Sequence, residues 1–412
     1  MELYGIEYLR SKLVMKRTRT LLRYSYYDMK NITIEKSPVM PDELQSAYKC
    51  ALGWCGKAVD TMADRLSFIG FDEDTDTFNM NEIFNLNNPD ILTDSAILGA
   101  LICSCNFIYI SKDENGFPRL QVIDGSEATG VIDSITGMLK EGYAVLERDK
   151  DYNPITEAYF TSESTTIIQK VQRGVVQYTE PNPTLYPLLV PIIFRPDAKR
   201  PFGHSRISRA CMDIQKQAVK TLMRAGISAD FYSFPQKYFL GLSPDAEPME
   251  RWRATISTML QFTKDEDGDH PVVGQFQQAS ATPHLEQFKM YAAAFAGETG
   301  LTLDDMGFMT GNPSSADAIK SQHENLKLKA RKAQRNFRTG FLNVGYLAAS
   351  LRDGQPYERK QIYNTRVLWE PLFEPDASML SSIGDGAIKL NQAVPNYITD
   401  KTLRELTGIK AE

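Results

Sequence analysis

The stretch GNPSSADAIKSQHENLKLKARKAQRNF, residues 311 to 337, begins as a turn and continues with the spacing of a long amphipathic helix. Pro313 followed by Ser314 and Asp317 is typical of a helix start, with a capping box that uses the shorter acid. One side carries an apolar seam at Ile319, Leu326, Ala330, Ala333, Phe337, Phe341 and Val344. The other side is basic, at Lys320, Lys327, Arg331, Arg335 and Arg338. The pattern predicts a helix that reaches about Leu351 with one buried and one basic face.

The basic face lacks acids of its own in an otherwise mildly acidic chain. The 412 residues carry a formal net charge of −6, with 42% hydrophobic and 24% charged residues, which is ordinary for a globular protein. Such a balance argues against tight nucleic-acid binding by the whole molecule. Water, an acidic neighbouring element, an acidic neighbouring subunit and phosphate are the alternative partners of this face.

The cysteines indicate a reducing compartment, and the apolar runs are too short for a signal peptide or a membrane span. Five cysteines show neither CxxC spacing nor the density of a disulfide framework, so we expect reduced core residues: Cys50, Cys55, Cys103, Cys105 and Cys211. Residues 1 to 13 lack the apolar run of a signal peptide, and the run at 185 to 194 is short and contains two prolines. We therefore expect no membrane span.

The N-terminal half combines helical and strand patterns. Apolar residues recur every three or four positions from Pro41 to Leu66, which predicts one long helix, and a shorter helix is predicted near 90 to 102. FIYISKDENGFPRLQVID, residues 107 to 124, predicts a hairpin around Asn-Gly. Alternating segments continue this antiparallel meander to about residue 195, at 131 to 148, 156 to 169 and 170 to 178. The predicted fold class is α+β.

The C-terminal half is mainly helical. A helix from Gly203 has an apolar stripe at Ile207, Ala210, Cys211, Ile214, Ala218 and Leu222. Residues 231 to 283 break into short pieces, which predicts a small inserted subdomain, and helical spacing returns from Leu285 to about Gly300. The tail contains a strand candidate, TRVLWEPLF at 365 to 373, and two short helical pieces. The stripes at 207–222 and 319–344 exceed what we expect one chain to cover, so subunits should pack on them.

Signatures of catalysis are absent from the sequence. No GxxxxGK[ST] string occurs, and GHSRI at 203 to 207 matches the GxSxG elbow only in part, with Ile207 in the last position. A helix N-cap by Ser205 is the favoured alternative, because an amphipathic helix starts there. The four histidines are scattered, and the acidic clusters at 72–76 and 264–269 lack the EF-hand spacing. No enzyme activity, no metal and no cofactor are predicted.

Five segments, in this order, resemble the portal proteins of tailed double-stranded DNA bacteriophages, of the siphovirus type. They are AVDTMADRLSFIGF (58–71), DENGFPRLQVID (113–124), VIDSITG (131–137), GHSRIS (203–208) and TGNPSSADAIKSQHENLKLKARKAQRNF (310–337). The resemblance spans roughly residues 41 to 375, and its last segment is the most specific. It implies a portal-protein fold with an α/β wing, a two-helix stem, a small α/β clip, a long tunnel helix and a short helical crown.

The resemblance implies a division of the chain. The expected parts are an N-terminal arm (1–40), wing (41–203), stem helix 1 (204–230), clip (231–283), stem helix 2 (284–303), tunnel loop (304–316), tunnel helix (317–351), wing return strand (352–376) and crown (377–412). It also implies a ring of about twelve subunits at one capsid vertex of the virion, assembled in the host cytoplasm. The implied partners are double-stranded DNA without sequence specificity, a large terminase ATPase, a head-tail adaptor, and the major capsid and scaffolding proteins, with no membrane.

The resemblance also assigns candidate site residues. The DNA-tunnel loop would present Gly311, Asn312, Pro313, Ser314 and Ser315. Clip docking would use Trp252, Lys264, Asp265, Glu266, Asp267 and Asp269. The apolar stripes, rather than the resemblance, supply the candidates for subunit packing: Ile207, Ile214, Leu222, Leu326 and Phe337. Two other interpretations remain: another virion component, such as a minor capsid or adaptor protein, and a soluble enzyme whose site is assembled from scattered residues. The order stem, clip, stem argues against the first, and ring-shaped particles would exclude the second.

Overall fold

The computed structural model describes residues 3–34, 48–171, 174–233, 237–240, 272–275, 280–308, 322–373 and 377–407. The helices are α1 (Ile6–Asp28), α2 (Trp54–Ala63), α3 (Met80–Asn85), α4 (Pro89–Cys103), α5 (Arg209–Ser233), α6 (Thr282–Thr299), α7 (Glu324–Asp353), α8 (Arg359–Ile362), α9 (Ala377–Ala393) and α10 (Asp400–Thr407). The strands are β1 (Phe68–Phe71), β2 (Cys105–Lys112), β3 (Pro118–Ile123), β4 (Ala128–Ile132), β5 (Leu139–Arg148), β6 (Pro154–Phe160), β7 (Ser164–Val171), β8 (Gly174–Pro181), β9 (Leu189–Ile193), β10 (Lys237–Leu240), β11 (Val272–Gln275) and β12 (Val367–Trp369). The predicted α+β class is confirmed.

Antiparallel pairing dominates the sheets. Strands β4-β5-β6-β7-β8 form a meander in sequence order, β3-β2-β9 form a second sheet, and β1-β12 and β10-β11 form two-stranded sheets. The predicted hairpin at 107–124 is confirmed, with Phe107 opposite Ile123. Its turn is closed by Asp113, whose carboxylate accepts the backbone N–H groups of Asn115 and Phe117. At the far edge of the meander, every residue of β8 is exposed.

Helices α4 and α7 cover the same face of the β3-β2-β9 sheet. Asn106 of β2 donates from its side chain to the backbone oxygen of Ser95 in α4. Ile192 lies directly opposite Asn106 on β9, so its side chain points to the same face. There it meets Gly340 of α7, where an added Cβ would lie 2.7 Å from Ile192 Cδ1. Only glycine allows the long helix to approach the strand this closely.

The apolar seam of α7 is buried, as its spacing predicts. Leu326, Ala330, Ala333, Phe337, Phe341 and Val344 are all buried, whereas Ile319 lies outside the described residues. The ring of Phe337 stacks on Phe194 with centroids 6.1 Å apart, and Phe341 meets Phe68 at 4.8 Å. The subunit itself therefore covers this seam. The expectation that a single chain cannot cover it is wrong, and Leu326 and Phe337 belong to the core of the subunit.

Two N-terminal elements differ from the sequence-based expectation. Helix α1 was not predicted, and the helix predicted from Pro41 to Leu66 is confined to Trp54–Ala63 in the described residues, with 48–53 non-helical. The start of α2 is set by a distant contact, because the backbone N–H of Cys55 donates to Gln215 Oε1 of α5 at 2.6 Å. A tertiary hydrogen bond thus satisfies one of the free N–H groups at a helix start.

Helix α1 is attached to the meander through charged side chains. Arg10 donates to both carboxylate oxygens of Glu157 on β6, at 3.2 and 2.7 Å. The buried carboxylate of Glu141 accepts the backbone N–H groups of Tyr4 and Gly5 at the start of the helix. Lys16 donates to the backbone oxygen of Ala128 at 3.3 Å, 4.9 Å from the Phe107 ring, and burial lowers its pKa. The polar side of α1 is therefore also a packing side.

Truncation of Phe337 tests the role of the long helix. Phe337→Ala should lower the free energy of unfolding by about 3–5 kcal/mol, because it leaves a cavity beside Phe194. Leu328→Ala on the exposed side of α7 is the matched control and should change it by less than about 0.5 kcal/mol. Urea unfolding followed by circular dichroism measures both values. Equal losses in the two variants would contradict a core role for Phe337.

Candidate functional site

Helices α5 and α6 form an antiparallel pair that is joined along its length. Ser208 donates to Glu298 at 3.0 Å at one end, and Thr221 donates to Gln287 at 3.1 Å further along. Ser228 and His284 Nε2 lie 3.1 Å apart at the other end. In the sequence, β10 and β11 lie between the two helices and pair with each other. The chain therefore leaves along α5, forms at least one hairpin pairing, and returns along α6.

The stripe predicted on α5 is correct only in part. Cys211 and Ala218 are buried, but Ala210 is exposed, and Ile214 and Leu222 are half-buried. The buried face instead includes Gln215 and Val219, which the stripe omitted. Gln215 is buried because its side chain accepts the N–H of Cys55. Because a polar residue lies at the centre of the buried face, the spacing of apolar residues in the sequence did not identify that face correctly.

The segment GHSRIS, residues 203 to 208, joins the helix pair to the rest of the molecule. Ser205 Oγ donates to the backbone oxygen of Ile102 in α4 at 2.6 Å and accepts the N–H of Ile207 at 2.9 Å. Helix α5 starts only at Arg209, and Ser208 Oγ accepts the N–H of Cys211 at 3.1 Å. The N-cap is therefore Ser208, and the prediction for Ser205 is wrong because the segment first packs against α4. Ile207 is buried in the core of the same subunit, so its area is not free for a neighbour.

The same segment lacks the geometry of a hydrolase site. A nucleophilic serine needs a base within hydrogen-bond reach. Ser205 Oγ is instead bonded to Ile102, and His204 Nε2 lies 2.5 Å from the carboxylate of Asp197. This hydrogen bond to His204 lowers the pKa of Asp197. Ser205 therefore has a structural role at the junction.

Arg206 is a buried cation at this junction. Its Nε donates to the backbone oxygen of Ala58 in α2 at 2.9 Å, and its backbone N–H donates to Leu101 in α4 at 2.8 Å. Burial lowers the pKa of Arg206 to about 10. Its Nη2 has no hydrogen-bond partner among the described residues. Arg206 thus links α2 and α4 to the base of the helix pair, and sequence reasoning missed it because its partners are backbone atoms.

The basic face of α7 borders a groove of about 880 Å³. Arg331, Arg335 and Arg338 are exposed along this face, and the adjoining α8 adds Arg359 and Lys360. The prediction of a basic side opposite the seam is confirmed. Apart from the pair of Lys327 with Glu324 at 3.5 Å, the described ion pairs bring no acid to the residues of α7 on this face. The groove can therefore bind an anionic surface.

Several predicted site residues lie outside the described residues. These are the tunnel-loop residues Gly311, Asn312, Pro313, Ser314 and Ser315 and the docking residues Trp252, Lys264, Asp265, Glu266, Asp267 and Asp269. Within the described part of the chain, His, Cys, Asp and Glu side chains form no cluster that could hold a metal ion. None of the described helices is both long and apolar enough to cross a membrane.

Comparison with known proteins decides the family. The profile of the family described as "Phage portal protein, SPP1 Gp6-like" matches residues 6–376. The chain belongs to this phage portal protein family. As a family member it has the structural role of a portal protein at the portal vertex of a virion. The resemblance found in the sequence is thereby confirmed.

Two portal proteins and one solved structure are similar to this chain at low sequence identity. The portal protein of Mycobacterium phage L5 is 24% identical over 328 residues, which cover 75% of this chain and 66% of that protein. The portal protein of Mycobacterium phage D29 is 22% identical over 385 residues, which cover 89% and 77%. A chain from the neck of an empty GTA particle, computed with C6 symmetry, has a TM-score of 0.45 and 11% identity, with 90% of this chain and 94% of that chain covered.

Removal of the Ser205 hydroxyl tests the junction. Ser205→Ala should destabilise the fold by about 1–3 kcal/mol, because it leaves the N–H of Ile207 buried without a partner. Ser11→Ala on the exposed side of α1 removes a hydroxyl of the same kind and should change stability by less than about 0.5 kcal/mol. Thermal unfolding by calorimetry compares the two. Identical melting temperatures would show that Ser205 does not secure the junction.

Proposed function

We propose that this chain assembles into a ring of twelve subunits. The ring forms a channel at one capsid vertex for packaging and ejection of double-stranded DNA. The observation that supports this most directly is the antiparallel pair of α5 and α6, which brackets β10 and β11 in a chain matched to the portal family over residues 6–376. A helix pair between a folded body and the paired strands β10 and β11 suits a channel wall that repeats around an axis.

The proposed parts follow the sequence-based division with shifted helix ends. The wing (41–203) would contain the two larger sheets, and the stem would consist of α5 and α6, which start at Arg209 and Thr282 rather than at 204 and 284. The clip (231–283) would contain β10 and β11. Helix α7 would be the tunnel helix, β12 the return strand paired with β1, and α9 with α10 the crown.

The channel would hold DNA without reading its sequence. Small polar groups in the loop at 304–316, above all Asn312, Ser314 and Ser315, would contact phosphates through weak hydrogen bonds that are easily exchanged. Each subunit adds a formal charge of −6 to the ring, so the assembled wall would repel DNA overall. Repulsion with few strong contacts keeps the DNA free to move.

The work of packaging would come from a different protein. The sequence contains no GxxxxGK[ST] loop for ATP, so we propose a non-enzymatic conduit served by a large terminase ATPase. The clip residues Trp252 and 264–269 would dock the terminase and later the head-tail adaptor. Major capsid and scaffolding proteins would bind the wing during assembly in the host cytoplasm.

Electron microscopy of the purified protein tests the ring. We expect twelvefold rings with a central hole, and mass photometry should give the mass of twelve 46.5 kDa chains. Ile214→Asp on the half-buried side of α5 should reduce the ring fraction while the subunit stays folded, because its carboxylate can still reach water. Tyr152→Asp on the exposed β5–β6 turn is the control and should assemble normally. A stable wild-type monomer at micromolar concentration would contradict the proposal.

Charge added to the tunnel loop tests the channel lining. Asn312→Lys should slow packaging, and the slowing should diminish as salt is raised, because contacts between lysine and phosphate release counterions. Gln177→Lys on the exposed strand β8 adds the same charge elsewhere and should leave the rate unchanged. Packaging velocity into procapsids is measured at two ionic strengths. Wild-type speed of Asn312→Lys in low salt would show that the loop does not face DNA.

A further inference from the structure

The groove beside α7, which we call the basic groove, is lined by both apolar and charged side chains. Pro191 and Ile193 of β9 are among its apolar lining residues. Ile135 and Tyr363 stand at its border with 91% and 78% of their surface exposed. Arg335 contributes charge from the neighbouring turn of α7. Such exposed apolar side chains around a concave surface mark a site of protein contact.

Cations outnumber carboxylates in the lining of the basic groove, with Arg335, Arg359 and Lys360 against Asp133 and Asp197. Its two carboxylates are already occupied, since Asp133 accepts from the hydroxyl of Thr136 at 2.7 Å and Asp197 is bonded to His204. These hydrogen bonds lower the pKa of both acids, so both keep their negative charge, and the excess of positive charge comes from the third cation.

Among the cations, Arg359 donates to the neutral amide oxygen of Asn343 at 3.2 Å, and Lys360 pairs with Glu358 at 2.5 Å. Arg335 has no acidic partner among the described ion pairs. The Nδ2 atom of Asn336, which also lines the groove, is buried without an acceptor among the described residues. Arg335 and the donors of Arg359 that Asn343 does not use can therefore bind acceptor oxygens.

A surface with the opposite properties lies where α3 meets α4, and we call it the acidic knob. Leu86 and Ile91 protrude there with 67% and 71% of their surface exposed. Asp90 and Asp94 are exposed beside them at the start of α4. Burial and repulsion from Asp90 and Asp64 raise the pKa of Asp94. No described ion pair brings a cation to these aspartates, so the knob can bind a basic surface.

The two surfaces lie at opposite edges of the β3-β2-β9 sheet. Asn87 ties the knob to β3, because its amide donates to Pro118 at 3.0 Å and accepts the N–H of Leu120 at 2.9 Å. The basic groove is lined by β9, at the other edge. A contact between two different surfaces of a subunit is heterologous, and heterologous contacts close into rings when the rotation allows it.

We propose that the basic groove of one subunit receives the acidic knob of the next subunit around the ring. Leu86 and Ile91 would contact the apolar lining, and Asp90 and Asp94 would face Arg335 and Arg359. The apolar lining favours a protein occupant over DNA, since a phosphate backbone has nothing to place against Pro191, Ile193 or Ile135. This inference rests on the proposed ring, and it names the surfaces that hold the ring together.

Reciprocal charge reversal tests the contact. The groove variant carries Arg335→Glu and Arg359→Glu, and the knob variant carries Asp90→Arg and Asp94→Arg. Each variant alone should lose at least about tenfold in ring fraction, because like charges then meet at every contact. Mixing the two folded variants should restore rings in which they alternate, since each groove then faces a knob of opposite charge. Mass photometry and negative-stain images measure the ring fraction.

The control changes charge outside the contact. Lys57→Glu with Lys332→Glu alters the net charge as much as the groove variant at two exposed positions that do not line the groove, and it should assemble normally. Circular dichroism establishes that every variant is folded. A second measurement uses Ile91→Cys with Tyr363→Cys in one chain, which should give disulfide-linked oligomers from assembled rings, whereas variants with only one of the two substitutions should give none.

Four results would overturn the proposal. Folded variants that stay unassembled after mixing would show that the groove and knob do not pair. A groove variant with normal rings but weakened binding of a DNA duplex would assign the groove to nucleic acid. Wild-type protein without rings would contradict the proposed function and this contact together. Rings of the double-cysteine variant that form no disulfide-linked oligomers would contradict the contact alone.

Discussion

The structure depends on the burial of one face of α7 against β9 and its neighbours. Most of the stability of an amphipathic helix in a protein comes from tertiary packing of its apolar face rather than from helix propensity, and this applies to the 30 residues of α7. Phe337 and Phe341 place aromatic rings against Phe194 and Phe68, and Gly340 lets the helix approach Ile192. Because this face is filled by the subunit's own strands, the opposite face is left to present arginines outward. The buried seam and the basic groove are thus two results of the same packing.

The parts of the fold with strong local periodicity could be predicted from the sequence. The seam of α7 and the hairpins from Phe107 to Gln177 follow from spacings of 3.6 and 2 residues. The positions of α4 and of the strand at Val367–Trp369 were predicted for the same reason. Such patterns report which side of an element is buried. They do not report what buries it, which is why Ile207, Leu326 and Phe337 were assigned to a neighbouring subunit although their own subunit covers them.

The remaining elements depend on contacts between residues distant in sequence. Helix α1 has no clean apolar stripe, because Lys16 packs beside Phe107 and Arg10 pairs with Glu157 more than a hundred residues away. Gln215 is buried by its bond to Cys55, and Ser205 is held by Ile102 before the helix begins at Arg209. Of the candidate site, the basic face was predicted from its arginines, but the groove requires the turn at Ile135 and the helix at Arg359 to meet α7. Only the folded chain brings these three segments together.

The outermost strand of the meander makes the unassembled chain prone to aggregation. Strand β8 is exposed on both faces, with Val175, Val176 and Tyr178 among its residues, and within the described structure it has a strand on one side only. An unpaired edge rich in β-branched and aromatic side chains is a template for adding strands from other molecules. Assembly of the proposed ring would therefore compete with aggregation. The outcome would depend on how fast free chains enter the proposed ring. The rate of synthesis should therefore affect the yield of assembled protein as much as the stability of the fold does.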